Sequence, residues 1–166
     1  MVKDKPPNHL ASHHSPKPRP VGMIGLRNVA VTEPWYQDGL RFQCTRCGNC
    51  CTGAPGYVWV TPEELAALAE HLGEPMETVR AVYTREEQGR RTLREKANGD
   101  CVFYEHGTGC TVYAARPTQC RTWPFWESTT ETPAAWEQTR QTCPGAGRGD
   151  LIPAEEITRR IRAIKL

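Results

Sequence analysis

The sequence predicts a small, loop-rich α+β domain of short helices and an antiparallel β meander, organised around a cysteine-ligated metal centre. Four of its eight cysteines fall within eight residues, Cys44-Thr-Arg-Cys47-Gly-Asn-Cys50-Cys51. Fourteen glycines and fourteen prolines in 166 residues favour short elements that need a fixed point besides apolar burial. Short helical patterns and short β-branched or aromatic runs share the chain, which gives the α+β mixture.

An apolar share of 38% builds one modest core, and the length suits one domain. A net charge of +2 provides no basic field for nucleic acid, which is excluded as a partner. No run reaches the roughly 18 apolar residues of a membrane span, so no membrane partner is expected either. Residues 1–20 hold five prolines and three histidines but no apolar signal-peptide core, which predicts a cytoplasmic protein. The chain divides into a disordered Pro/His-rich tail over 1–21, a metal-binding domain over 22–150 and an amphipathic C-terminal helix over 151–166. His9, His13 and His14 of the tail read as solvated.

Residues 40–43 form a short extended piece before the cysteine run, and 56–60 are β-branched and aromatic enough for a strand. Thr61-Pro-Glu-Glu64 then combines an N-cap, proline at the first helical position and a capping-box glutamate. Leu65, Leu68, Ala69 and Leu72 follow at helical spacing, and Gly73 ends the helix. Pro75 opens a second helix to about Tyr83, with Met76, Val79, Val82 and Tyr83 expected in the core. Residues 92–97, 101–104 and 110–113, separated by turns, read as the meander and place Cys101 and Cys110 at strand starts. Pro117 begins a helical turn ending at Cys120. Thr132 and Pro133 start a helix to about Thr142, and the glycines after Cys143 allow the backbone to approach a bound group. Ile157, Ile161 and Ile164 form one stripe of the terminal helix.

In C-x2-C, a turn after the first cysteine brings the second sulfur back beside it, which makes Cys44 and Cys47 a strong half-site. Cys50 and Cys51 are less usual. Adjacent side chains point apart in a strand and about 100° apart in a helix, so the pair is not expected to share one mononuclear ion. Cys101, Cys110, Cys120 and Cys143 complete a set of eight metal-ligating candidates. Eight sulfurs can form two zinc sites, one or two iron-sulfur clusters of the 4Fe-4S kind, or a mixture. A disulfide framework is the alternative in an oxidising compartment, and unmodified thiols a further one. C-x2-C-x2-C overlaps the start of a bacterial ferredoxin run, although the fourth ligand is not three residues on. Thiolates around a metal carry net negative charge, so Arg46, Arg116 and Arg121 are candidate donors to them. Trp123 and Trp126 read first as core, with shielding of a cluster as their other role. His71 and His106 show no ligand pattern. The chain contains no P-loop, G-x-G-x-x-G, Ser-His-Asp set or C-x3-C-x2-C run.

The succession Cys44-x2-Cys47-x2-Cys50-Cys51, Gly99-Asp-Cys101-Val-Phe103, Cys110-Thr-Val-Tyr113-x2-Arg116-Pro117-x2-Cys120-Arg121-Thr-Trp-Pro124-Phe125, Trp136 and Cys143-x-Gly145-x-Gly147-x-Gly149 resembles the YkgJ-like cysteine-cluster family over about residues 40–150. The resemblance implies zinc or iron chelation without an established reaction. Related cysteine-cluster sequences include flagellin lysine methylases, but no additional catalytic domain is evident here. Where the family commonly has Leu, this chain has Tyr104, read as a packing change. The leading expectation is a metal-binding protein with an iron-sulfur centre, redox-active or accessory to an enzyme. The alternatives are a structural zinc module that docks a protein partner, and an iron-sulfur enzyme of unspecified substrate.

Overall fold

The first helix begins as its sequence requires. A computed structural model describes residues 33–53 and 56–164, so the expectations for the tail and its three histidines lie outside the described residues. α1 spans Pro62–Leu72. The Thr61 side chain accepts from the Glu64 N–H at 3.2 Å, and the Glu64 carboxylate accepts from the Thr61 N–H at 3.0 Å. Gly73 stops the helix in the left-handed region at φ 67°.

α2, Met76–Tyr83, lies on α1 and buries Val79 completely, whereas Met76 and Val82 are exposed. The expected four-residue core face is thus corrected to a narrow stripe. Met76 and Val82 each stand about 60° from Val79 around the helix, on opposite sides of it, and only the line through Val79 meets the core.

β1 (Leu40–Phe42), β2 (Thr84–Glu87), β3 (Arg90–Leu93), β4 (Tyr104–Glu105), β5 (Gly109–Cys110) and β6 (Ala146–Ile152) pair antiparallel as β1–β6, β2–β3 and β4–β5. The single meander is therefore corrected to three two-stranded pieces. Gln88 and Gly89 both have positive φ, 51° and 72°, the geometry of a tight hairpin. This makes β3 fold back on β2, leaving only an isolated Glu95–Cys101 bridge in the forward direction. Residues 57–60 run along the other side of β3, with Val60 N–H donating to Arg91 O and Leu93 N–H to Val58 O.

α3 (Thr118–Thr122), α4 (Glu127–Thr130), α5 (Pro133–Thr142) and α6 (Ala154–Arg162) complete the described helices. Thr132 caps α5 by accepting from Ala135 N–H. One apolar cluster unites Leu65, Leu68, Val79, Leu93, Phe103 and Val112. A second gathers Phe125, Trp136, Cys143, Ala146 and Ile157, so α6 docks there through Ile157 and Ile161. The glycines after Cys143 serve the chain's own backbone: a Cβ on Gly145 would meet Gln43 O at 2.0 Å. That close approach lets β6 lie beside β1, which leads directly into the cysteine run.

Candidate metal centre

The run from Cys44 to Cys51 turns tightly because its backbone reverses twice. Arg46 and Gly48 have φ of 57° and 85°. Gly48 is doubly constrained, since a Cβ there would stand 2.4 Å from the Tyr104 hydroxyl oxygen. Tyr104 is buried, and its ring occupies the space against the turn. Cys51 N–H then donates to Gly48 O at 2.7 Å, and the Cys50 and Cys51 sulfurs approach to 3.7 Å. The expectation that these neighbours point apart is corrected, because they occupy a turn rather than a strand or helix.

All eight cysteines line one cavity of about 170 Å³. Cys101 arrives through its N–H, which donates to Cys51 O at 2.7 Å. Cys110 comes from β5, opposite Tyr104. Cys120 is held on α3, whose Gln119 donates to Tyr57 O and accepts from Trp59 N–H at 2.8 and 3.0 Å. Cys143 caps the end of α5; Asn49 Nδ2 donates to Thr142 O at 2.8 Å, and Gln43 N–H donates to Gly145 O at 3.2 Å. Val58, Leu93, Phe103 and Val112 supply apolar wall from the first core, while Phe42 and Trp123 supply it from the second.

Every cysteine is a free thiol. Cys44, Cys47 and Cys50 are exposed, Cys143 is buried and the other four lie between. No His, Asp or Glu lines the cavity among the described residues. This donor set matches zinc or iron-sulfur ligation, both of which accept thiolates alone. Among the described residues no three His, Cys, Asp or Glu side chains are gathered closely enough to hold one ion. The thiols surround a volume instead of meeting at a point.

Acidity varies around the cavity. A hydrogen bond from the Cys51 thiol holds Cys50 down at about 7, with burial opposing and Arg116 assisting. The same bond, reinforced by burial and the Cys50 charge, pushes Cys51 up. Burial raises Cys101 and Cys110, and raises Cys120 to about 12.

The arginine candidates separate. Arg46 and Arg116 line the cavity and place their guanidinium carbons 4.3 and 3.5 Å from the Tyr113 ring centroid. Arg121 is exposed and donates to Arg116 O and Thr118 Oγ1, so it braces α3 instead of facing the thiols. Sequence reasoning missed Tyr113 and Gln119 as lining residues. The Cys44 thiol beside the Tyr113 hydroxyl raises its phenol; its place between Cys110 and Arg116 was the available signal. Trp123 and Trp126 also line the cavity, their rings edge to face at 4.8 Å. His71 is exposed at the end of α1, and His106 contacts Asp100 at 3.1 Å, away from the cavity.

A family model described as "CxxCxxCC: Putative zinc- or iron-chelating domain" matches residues 43–144. The chain belongs to the CxxCxxCC family. The matched span contains all eight cysteines and both cavity arginines. An uncharacterized protein of Methanocaldococcus jannaschii is 32% identical over 101 residues, covering 60% of this chain and 53% of the relative. The chain thus spans about half the length of that relative. No solved structure matches the chain. Metal chelation is what the CxxCxxCC family description supports for this domain, and among the described residues no helix is long and apolar enough to cross a membrane.

Proposed function

We propose that the cavity holds an iron-sulfur centre and that the protein passes electrons to, or assists, another protein. The observation that carries this reading is the spread of eight thiols around a cavity of about 170 Å³ without any three converging on one point. A single zinc ion draws four sulfurs to one tetrahedron, whereas a cluster interposes iron and inorganic sulfide between them. When bound, such a cluster supplies one-electron redox chemistry. The apolar wall limits water around it, and Arg46 and Arg116 offset the negative charge of the thiolates.

A second reading is a structural zinc module that docks a protein partner. The Cys50–Cys51 separation of 3.7 Å favours it, since tetrahedral Zn–S bonds of about 2.3 Å place sulfurs about 3.8 Å apart.

Anaerobic purification with metal and acid-labile sulfide analysis separates the two. We expect iron, sulfide and broad absorption near about 400 nm, together with quenching of Trp123 and Trp126 emission by energy transfer into that band. A colourless protein carrying stoichiometric zinc, with undiminished tryptophan emission, overturns the iron-sulfur reading.

A further inference from the structure

We infer that the open side of the cysteine cavity docks an acidic face of a protein partner, held by Arg46, Arg116 and Arg121. That this partner exchanges electrons rests on the iron-sulfur reading above, whereas the docking surface does not depend on which metal is bound.

The thiols show which side is open. Cys44, Cys47 and Cys50 lie exposed on one loop, while the remaining thiols are partly or fully buried. The two apolar cores supply walls elsewhere around the cavity. Electron transfer weakens steeply with distance, so a partner must approach the Cys44–Cys50 loop.

The segments around the cavity are basic in a chain that is nearly neutral. Residues 41–53, 107–126 and 140–149 carry seven of the eight cysteines and six arginines, but no lysine, aspartate or glutamate. The net charge of the whole chain is only +2, so the rest of it is net acidic. Such an asymmetry orients an approaching partner as well as attracting it.

Three of these arginines form one group. Arg46 and Arg116 line the cavity, with guanidinium carbons 4.3 and 3.5 Å from the same Tyr113 ring centroid, and Arg121 donates to Arg116 O. Among the described residues none of the three forms an ion pair, whereas Arg80, Arg85, Arg91, Arg140, Arg159 and Arg160 each have a glutamate. The tyrosine face favours the cations but supplies no net counter-charge. Thiolates in the cavity offset Arg46 and Arg116, yet Arg121 is exposed and turned from them, so its charge remains for an outside anion. Guanidinium forks suit carboxylates because two N–H groups meet two oxygens.

Arg46 adds a conformational argument. Its φ of 57° lies in the left-handed region, which costs a residue with a Cβ about 1–2 kcal/mol. Glycine would serve the turn alone at less cost. The arginine is accounted for by what its exposed guanidinium reaches.

The test uses the metal-loaded full chain, purified anaerobically, with poly-L-glutamate as the acidic probe and poly-L-lysine as the basic one. Hydrogen exchange read by mass spectrometry should show poly-L-glutamate protecting residues 44–50 and 113–121, and poly-L-lysine protecting neither. Arg46→Glu and Arg116→Glu should each weaken poly-L-glutamate binding on the order of tenfold. Arg162→Glu makes the same charge change at an exposed position of α6 and should alter binding less than about twofold. Equal weakening by Arg162→Glu, or protection centred outside the two segments, overturns the docking surface, and the map of the parent stands even if a variant fails to fold. Tighter capture of a single-stranded oligonucleotide of matched charge also overturns it, as does equal protection by free glutamate at the same residue concentration. Protection of both segments on a zinc-loaded chain upholds the docking surface and rejects the electron-transfer role. An iron-sulfur chain whose two segments stay unprotected overturns the docking surface and leaves the iron-sulfur reading in place.

Discussion

The sulfur of Cys50 lies 3.7 Å from that of Cys51, and the contact divides the acidity of the pair unequally. One thiol donates to the other. The accepting sulfur, Cys50, gains a stabilised thiolate, while Cys51 must give up its hydrogen bond in order to ionise.

Alkylation should read this asymmetry in the reduced, metal-free protein. With Cys50 held at about 7, its reaction with iodoacetamide should rise through neutral pH and precede that of Cys51, because the thiolate is the nucleophile. Cys51→Ala removes the donated hydrogen bond and should slow Cys50 on the order of tenfold at pH 7. Peptide mapping by mass spectrometry follows both sites. Equal rates at the two cysteines would show that the bond does not persist in solution.

Stability should depend on pH with opposite signs in the two states. In the metal-free protein Cys101, Cys110 and Cys120 have raised values, Cys120 moving from 9.0 to about 12. The unfolded chain releases these protons first, so their stabilisation is complete below about pH 9 and is lost as pH rises toward 12. Cys120→Ala should flatten that alkaline loss in urea melts. Metal reverses the sign, since ligation needs thiolates and protons compete for them. The loaded protein should therefore lose metal and melting temperature as pH falls, and an acid-insensitive loaded form would count against thiolate ligation.

Gly48 and Tyr104 should be coupled. Gly48→Ala places a methyl group 2.4 Å from the Tyr104 hydroxyl at a φ of 85°, costing roughly 1–3 kcal/mol from overpacking plus about 1–2 from the backbone. Tyr104→Leu, the residue the resemblance associates with this position, should recover the packing part but not the backbone part. A double-mutant cycle by urea denaturation measures the difference. Additive losses would mean that the ring moves aside freely.

Local signals in the sequence were enough for α1, α5 and β1. Thr61, Glu64, Gly73 and Thr132 lie within a few residues of the groups they satisfy, so their hydrogen bonds need no information from distant parts of the chain. The chemical type of the candidate site was equally legible, because thiols at C-x2-C-x2-C-C spacing limit the choice of ligand. What tertiary structure alone decided was how the distant elements meet. It turned the glycines after Cys143 into strand β6 beside β1, split the expected meander at the Gln88-Gly89 hairpin, and left Met76 and Val82 in solvent. It also drew Tyr113, just before α3, to the thiols and turned Arg121, on α3 itself, away from them. Each of these outcomes depends on which of several nearly equal backbone pairings and packing faces is satisfied first by a partner far along the chain, a competition that local spacing does not encode.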